Sequence, residues 1–144
     1  MTELTGNLWD YHKDGVVTIT TNGVVRQKSG TCVMGRGVAY QAACRFPNIP
    51  SLLGARIKQY GLQVEYFEEY RLLIFPVKHV WWDKADLALI VRSAQQAAFW
   101  IDSGCVKRLV YMPRPGCGNG GLQWESVRPA IESILGNRVT IVNQ

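Results

Sequence analysis

The sequence predicts an α/β layered domain, with helices covering both faces of a mostly parallel or mixed sheet. Three observations carry this reading. Short β-branched runs alternate along the chain with amphipathic stretches of helical length. The 144 residues match one ordinary domain, and a hydrophobic share of 47% is enough for one core, so an ordered chain is expected. No internal repeat, low-complexity tract or linker-like shift divides the chain, so residues 1–144 are read as one domain.

Residues 3–9 are read as an edge strand. "VVTIT" at 16–20 is a β-branched run and predicts a buried strand. Residues 34–45 follow a glycine-rich stretch, have a helical pattern and end before Phe46-Pro47. Residues 51–60 place Leu52, Leu53, Ile57 and Tyr60 on one helical face, and Gly61 can close that helix. "QVEYFEEYRLLIFPV" at 63–77 reads as two short strands joined by a turn near Glu68 and Glu69.

Residues 84–103 give the strongest helical signal, with Leu87, Ile90, Val91, Ala94, Ala98 and Ile101 as the apolar stripe. Asp83 is its expected cap, Asp86 three positions on strengthens the start, and Gly104 stops it. "KRLVYMP" at 107–113 is a strand. Residues 125–135 form a helix with Val127, Ile131, Ile134 and Leu135 inward and Pro129 within the tolerated first turn. "RVTIV" at 138–142 closes the sheet.

Composition narrows the function classes. No apolar stretch approaches the ~20 residues of a membrane span. The start "MTELTGNLWDYHKDG" lacks the blocks of a signal peptide, so a cytoplasmic protein without membrane partners is expected. Cys32, Cys44, Cys105 and Cys117 show no CxxC spacing. Free thiols are therefore expected, and neither a metal site nor a cofactor is implied. The formal charge of +5 suits a polyanionic ligand, although many soluble proteins carry as much.

Two loops hold the candidate chemistry. "TNGVVRQKSGTCVMGRG" at 21–37 leaves a strand and enters a helix, and it is long for such a connection. "PRPGCGNGGLQW" at 113–124 packs four glycines into six positions. Each brings glycine backbone to a predicted helix start, where unpaired N–H groups and the helix dipole favour an anion. Two such loops could hold a diphosphate between them. Gly116, Gly118 and Gly121 spell GxGxxG, but no acidic residue follows at the distance a dinucleotide fold requires, and no phosphate-binding GxxxxGK[ST] loop is present.

These segments resemble the macro domain family, the α/β/α modules that bind ADP-ribose. The resemblance rests on "GNLWD" at 6–10, "TNGV" at 21–24 with "MGRGVAYQ" at 34–41, "FPVKHVWWDKADL" at 75–87 and "PRPGCGNGGLQWESV" at 113–127, and it runs over nearly the whole chain. It looks closest to the branch of DNA ADP-ribosyl glycohydrolase antitoxins, terminal ADP-ribose protein glycohydrolases and ADP-ribose-1''-phosphate phosphatases. The resemblance implies a three-layer α/β/α sandwich around a mixed, mostly parallel sheet. It also implies residue roles. Asn22 would hydrogen-bond the distal ribose, and Gly35, Arg36, Gly37 and Val38 would pass close to that ribose and the diphosphate. Gly116, Cys117, Gly118, Asn119, Gly120 and Gly121 would wrap the diphosphate. Asn7, with Leu8 beside it, stands where many relatives place an aspartate that accepts from the adenine amino group. Lys78 would sit near the anomeric carbon, either as nucleophile or as a charge that stabilises the breaking linkage. Gly120 stands where some relatives carry an aspartate, as it does in the DNA-directed ones.

Several residues keep a plainer reading. Asn22 can simply stabilise a turn, and Arg36 can be a surface charge. His12 and His79 are read as structural or exposed, His79 being the better acid/base candidate because it adjoins Lys78. Trp81 and Trp82 could stack a base or line the cleft mouth, with one of the pair facing the core. Cys117 is read as a small packing residue rather than a nucleophile, and Trp124 as the anchor of the last helix. The expected function is a monomeric ADP-ribosyl hydrolase acting on modified nucleic acid, modified protein or ADP-ribose-1''-phosphate. The alternatives are a module that reads ADP-ribose without turnover, and a general nucleic-acid-binding domain, which no RNA-binding or helix-turn-helix signature supports.

Overall fold

A computed structural model describes residues 1–144. The chain runs β1 (Thr2–Thr5), a 3-10 turn (Leu8–Tyr11), β2 (Val16–Thr21), α1 (Gly37–Arg45), α2 (Ile49–Tyr60), β3 (Glu65–Phe67) and β4 (Leu72–Pro76). It continues with α3 (Leu87–Asp102), β5 (Val110–Met112), α4 (Trp124–Leu135), a second 3-10 turn (Gly136–Arg138) and β6 (Val139–Asn143). The six strands form one sheet in the order β1-β6-β5-β2-β4-β3. Every pairing is parallel except β3 with β4, so the sheet is mixed and mostly parallel.

Side-chain alternation along the strands produces the layering. In β4, Leu73 and Phe75 point into a core of 18 buried residues shared with Ile90, Ala94 and Ala97 of α3 and Val127, Ile131 and Leu135 of α4. Their neighbours Leu72 and Ile74 point the other way, into a core of 13 shared with Ala39 and Ala42 of α1 and Ile49 and Leu53 of α2. Helices therefore cover both faces, as expected of an α/β sandwich. No helix is long and apolar enough to cross a membrane.

The boundaries differ from the sequence reading for identifiable reasons. The predicted strand 3–9 stops at Thr5, and Asn7 then caps the 3-10 turn by accepting from Trp9 N–H (3.0 Å). The helix expected at 34 begins at Gly37, because Met34 is drawn into the core and Arg36 is extended (φ −144°). Helix α2 starts two residues early, with Pro50 in its first turn. Asp83 does not cap α3. Asp86 does, its side chain accepting from Ala88 N–H (3.0 Å). Residues 85 and 86 are held out of the helix by the bonds Ala85 N–H to Gly120 O and Asp86 N–H to Val77 O, both 2.9 Å. Strand 107–113 is reduced to Val110–Met112, the residues that β2 and β6 can pair. Pro129 is the sixth residue of α4, beyond the first turn, and it deprives the carbonyl of the exposed Glu125 of its helical donor.

Candidate functional site

In an open parallel sheet, ligands bind beyond the carboxyl ends of the strands, because the loops entering the helices diverge there. A cleft of about 370 Å³ occupies this position. Its floor is Thr20 and Thr21 at the end of β2 with Asn22 just beyond, Val77 and Lys78 past β4, and Pro113 and Arg114 past β5. Residues 33–39 form one wall, and Gly116, Gly118, Asn119 and Gly120 form the facing one. The two walls nearly touch: a Cβ built on Gly37 (φ +58°) would lie 3.3 Å from Asn119 Nδ2.

Specific bonds hold each wall. Asn22 Oδ1 accepts from Val24 N–H (2.9 Å), and Asn22 Nδ2 donates to Val33 O (2.9 Å), which fixes the two ends of the 22–33 excursion together. That excursion rests on α2 through Cys32 N–H to Pro50 O (2.9 Å). A Cβ on Gly54 of α2 would sit 1.9 Å from Gly30 O, so only glycine permits this approach. The facing wall is tied to the segment after β4. Besides Ala85 N–H to Gly120 O, the Lys78 ammonium donates to Trp81 O and to Asn119 O, both at 3.2 Å.

The glycines divide into two kinds. A Cβ at Gly116 (φ +77°) would meet Ile90 Cδ1 at 2.6 Å, and one at Gly120 would meet Gly116 O at 2.4 Å, so the protein itself requires glycine there. Gly35 and Gly118 differ. Neither has positive φ, and a Cβ on either would meet nothing within 4 Å. Both line the cleft, on opposite walls. The protein's own packing needs no glycine at either position, and both belong to the cleft lining.

The charge in the cleft has one sign. Arg36, Lys78 and Arg114 line it, and no Asp or Glu does. Gly37, Val38 and Ala39, which open α1, also line it, and no side chain caps that helix. Their N–H groups have no partner within the helix and present the positive end of its dipole to the cleft. The second loop contributes its glycines but not a helix start, since neither Gln123 nor Trp124 reaches the cleft.

Of the residues singled out from sequence, Asn22, Gly35, Arg36, Gly37, Val38, Lys78, Gly116, Gly118, Asn119 and Gly120 line the cleft. Asn7 lies outside it, with its carbonyl oxygen committed to the turn, and Leu8 is buried in the core beneath α1 and α2. Gly121 (φ +75°) packs against Lys84, and Cys117 turns its Sγ toward Pro115 O (3.5 Å). Burial pushes the Cys117 thiol up, against the thiolate character a nucleophile needs. The His12 ring donates from Nε2 to Tyr70 O (2.8 Å), and the exposed His79 meets Asp86 (3.0 Å); neither lines the cleft. Neither tryptophan of the Trp81–Trp82 pair faces the core: both are exposed, and Trp81 reaches the cleft. Trp124 is buried as expected. The sequence reading missed Thr20, Thr21, Val33, Met34, Ala39, Val77, Pro113 and Arg114. Most continue the ends of strands already recognised, which is the signal that could have found them.

The architecture superposes on the macrodomain of Mycobacterium tuberculosis DarG with a TM-score of 0.80, over 99% of this chain and 95% of that one, at 23% identity. The chain has the macrodomain fold. Thermosipho africanus DarTG in complex with ADP-ribose matches equally well (TM-score 0.80, 20% identity), this macrodomain aligning over its full length with 42% of that chain. The macrodomain of Thermus aquaticus DarG gives a TM-score of 0.78 at 23% identity, covering 99% of this chain and 97% of that one. No protein-family model matches the sequence, and no curated protein matches it.

Proposed function

We propose that this macrodomain binds ADP-ribose and hydrolyses the bond between its distal ribose and an acceptor. The observation that carries the reading is the pair of unforced glycines, Gly35 and Gly118, facing each other across a cleft with three cations and no carboxylate. Bare backbone on two walls admits a doubly charged diphosphate to hydrogen-bonding distance of main-chain N–H groups. The solved complex of Thermosipho africanus DarTG with ADP-ribose, which shares the fold, supports that ligand.

In the reaction, the bond from the anomeric carbon to the acceptor breaks and its electron pair leaves with the acceptor atom. A water oxygen bonds to the carbon, and a proton of that water passes to the acceptor or to solvent. Lys78 has three N–H donors, two of them committed to Trp81 O and Asn119 O. The third is free to stabilise the departing group, and the α1 N-terminus holds the diphosphate while charge develops at the sugar. The acceptor class includes a nucleic-acid base, a protein carboxylate and a 1''-phosphate.

A second reading is a module that recognises ADP-ribose without turnover. The absence of any carboxylate from the cleft lining favours it, since nothing there serves as a general base. Single-turnover assays on thymidine-linked ADP-ribose, ADP-ribosylated protein and ADP-ribose-1''-phosphate decide between the two. The hydrolase predicts release from at least one substrate, with Lys78→Ala slowing release far more than it weakens ADP-ribose binding. Three intact substrates alongside saturable ADP-ribose binding establish the reader.

A further inference from the structure

Arg114 lines the cleft, yet neither the glycine cradle nor Lys78 accounts for it. Its surroundings are unusually complete. Arg114 Nη2 donates to Glu3 Oε1 (3.3 Å), and its guanidinium lies over the Trp124 ring at 5.3 Å. The Trp124 indole N–H donates to the same Glu3 oxygen (3.0 Å), while the other oxygen of Glu3 pairs with Arg128. Arg128 is also bonded to Glu132 (3.0 Å). Strand β1 therefore reaches across β6 with one carboxylate and fixes both the edge and the face of a guanidinium standing at the end of β5.

The arrangement leaves capacity unused. Glu3 divides its carboxylate among Arg114, Trp124 and Arg128, and it gives Arg114 a single hydrogen bond, through Nη2. The Arg114 Nε is enclosed and has no acceptor in the protein, so the donors left for a ligand are those of its Nη groups. An arginine held from behind by a carboxylate and from one face by an indole loses little freedom on binding, and its remaining N–H fork matches phosphate oxygens. We infer that Arg114 contacts a phosphate oxygen of the bound ligand, and that Glu3 and Trp124 are positioning residues that orient its guanidinium. This deepens the ADP-ribose reading and rests on it for the identity of the ligand, but not for the presence of an anion contact.

The test uses two probes, inorganic pyrophosphate and ADP-ribose, on the intact chain. Affinities are measured calorimetrically for wild type, Arg114→Ala, Arg114→Lys and Lys13→Ala, the last removing an exposed charge that does not line the cleft. Arg114→Ala is expected to weaken both probes by about tenfold or more, the worth of a charge-assisted hydrogen bond. Arg114→Lys should recover part of the loss, and Lys13→Ala should bind as wild type. In wild type, the Arg114 Nε–H resonance should shift on adding pyrophosphate. In Glu3→Ala that resonance should move to the position of an unconstrained arginine before any ligand is added, a signature that general destabilisation does not produce. Should Arg114→Ala fail to fold, the resonance shift and the lysine variant carry the test. Wild-type affinity for ADP-ribose in Arg114→Ala, or a resonance that ignores both probes, overturns the inference and leaves the ADP-ribose reading standing. Pyrophosphate shifting the resonance of a protein that ignores ADP-ribose does the reverse.

Discussion

Replacing Gly118 by alanine separates folding from binding more cleanly than any other change in the cleft. A Cβ at this position meets no atom within 4 Å, and the backbone there is not in the left-handed region. The folded state therefore accepts alanine without strain, while the unfolded chain loses freedom. Such a substitution stabilises by about 0.4–1 kcal/mol, which raises Tm by roughly 1–4 °C for a domain of this size. Gly118 lines the cleft on the wall facing Gly35, where the diphosphate is proposed to lie against main-chain N–H groups, and a methyl group there is expected to crowd it. Displacing even one charge-assisted hydrogen bond costs about 1.5–3 kcal/mol, so ADP-ribose affinity should fall at least about tenfold. Thermal unfolding and titration calorimetry on one preparation read both quantities. Gly120→Ala is the contrasting control. Its Cβ would lie 2.4 Å from Gly116 O and 2.8 Å from Ala85 Cβ, so Tm must drop. A Gly118→Ala protein that melts no lower than wild type and binds ADP-ribose just as tightly would refute the backbone cradle.

Other consequences are equally specific. Gly54→Ala forces a methyl group to within 1.9 Å of Gly30 O, so α2 and the 22–36 loop must part. Overpacking of this kind costs about 1–3 kcal/mol, and a lowered Tm together with weaker ADP-ribose binding is expected; unchanged melting would mean the loop is not seated on the helix. The His79 ring and then the Ala88 N–H hold the Asp86 carboxyl below its ordinary value. A depressed folded pKa contributes stability that is full above the unfolded carboxylate value and is lost as pH falls through the folded one. Asp86→Asn keeps a capping acceptor but removes that titration, so its stability should vary less between about pH 5 and pH 2 when followed by urea unfolding. Among the thiols, exposed Cys44 and Cys105 should alkylate first, and Cys32 last, since burial pushes it up to about 11. Mass spectrometry of a timed iodoacetamide reaction gives the order, and early loss of Cys32 would contradict its burial.

The parts of the fold legible in sequence are those set by local pattern. The alternation of Leu72, Leu73, Ile74 and Phe75 between two cores follows from strand geometry, and of the stripe read from helix geometry Ile90 and Ala94 are buried, while Leu87 is exposed and Leu89, Ser93 and Ala97 turn inward. The illegible parts depend on distant partners. Asp83 and Asp86 are equally good caps by residue type, and the choice is made by a bond between Ala85 and Gly120 that no local rule supplies. The site divides in the same way. Its glycines announce themselves, but sorting Gly35 and Gly118 from Gly116 and Gly120 requires knowing what each missing Cβ would touch. Asn7 takes its ligand role from its position in the motif alone, and only the structure shows that its side-chain oxygen also caps the turn it begins. Arg114 was hidden because the carboxylate that orients it lies 111 residues away.

Lys78 holds two structural bonds as well as the proposed chemical role, and this governs how its substitution is interpreted. Its ammonium ties the segment after β4 to the glycine wall through Trp81 O and Asn119 O. Alanine removes the charge and both ties at once. If the wall then loosens, ADP-ribose affinity falls for a reason unrelated to the reacting carbon. The other bonds limit that effect: Ala85 N–H still holds Gly120 O, and Leu122 N–H still closes the turn on Gly116 O, both at 2.9 Å. Arginine at this position keeps a cation and its donors but moves the charge along a longer, planar head. Restored binding with turnover still lost in Lys78→Arg therefore assigns the residue to the chemical step, because the wall is intact while the placement of charge at the anomeric centre is not. Restoration of both by arginine instead makes the charge a general attraction for the diphosphate, and the cleft a reader's cleft in which catalysis, if present, depends on the backbone donors alone.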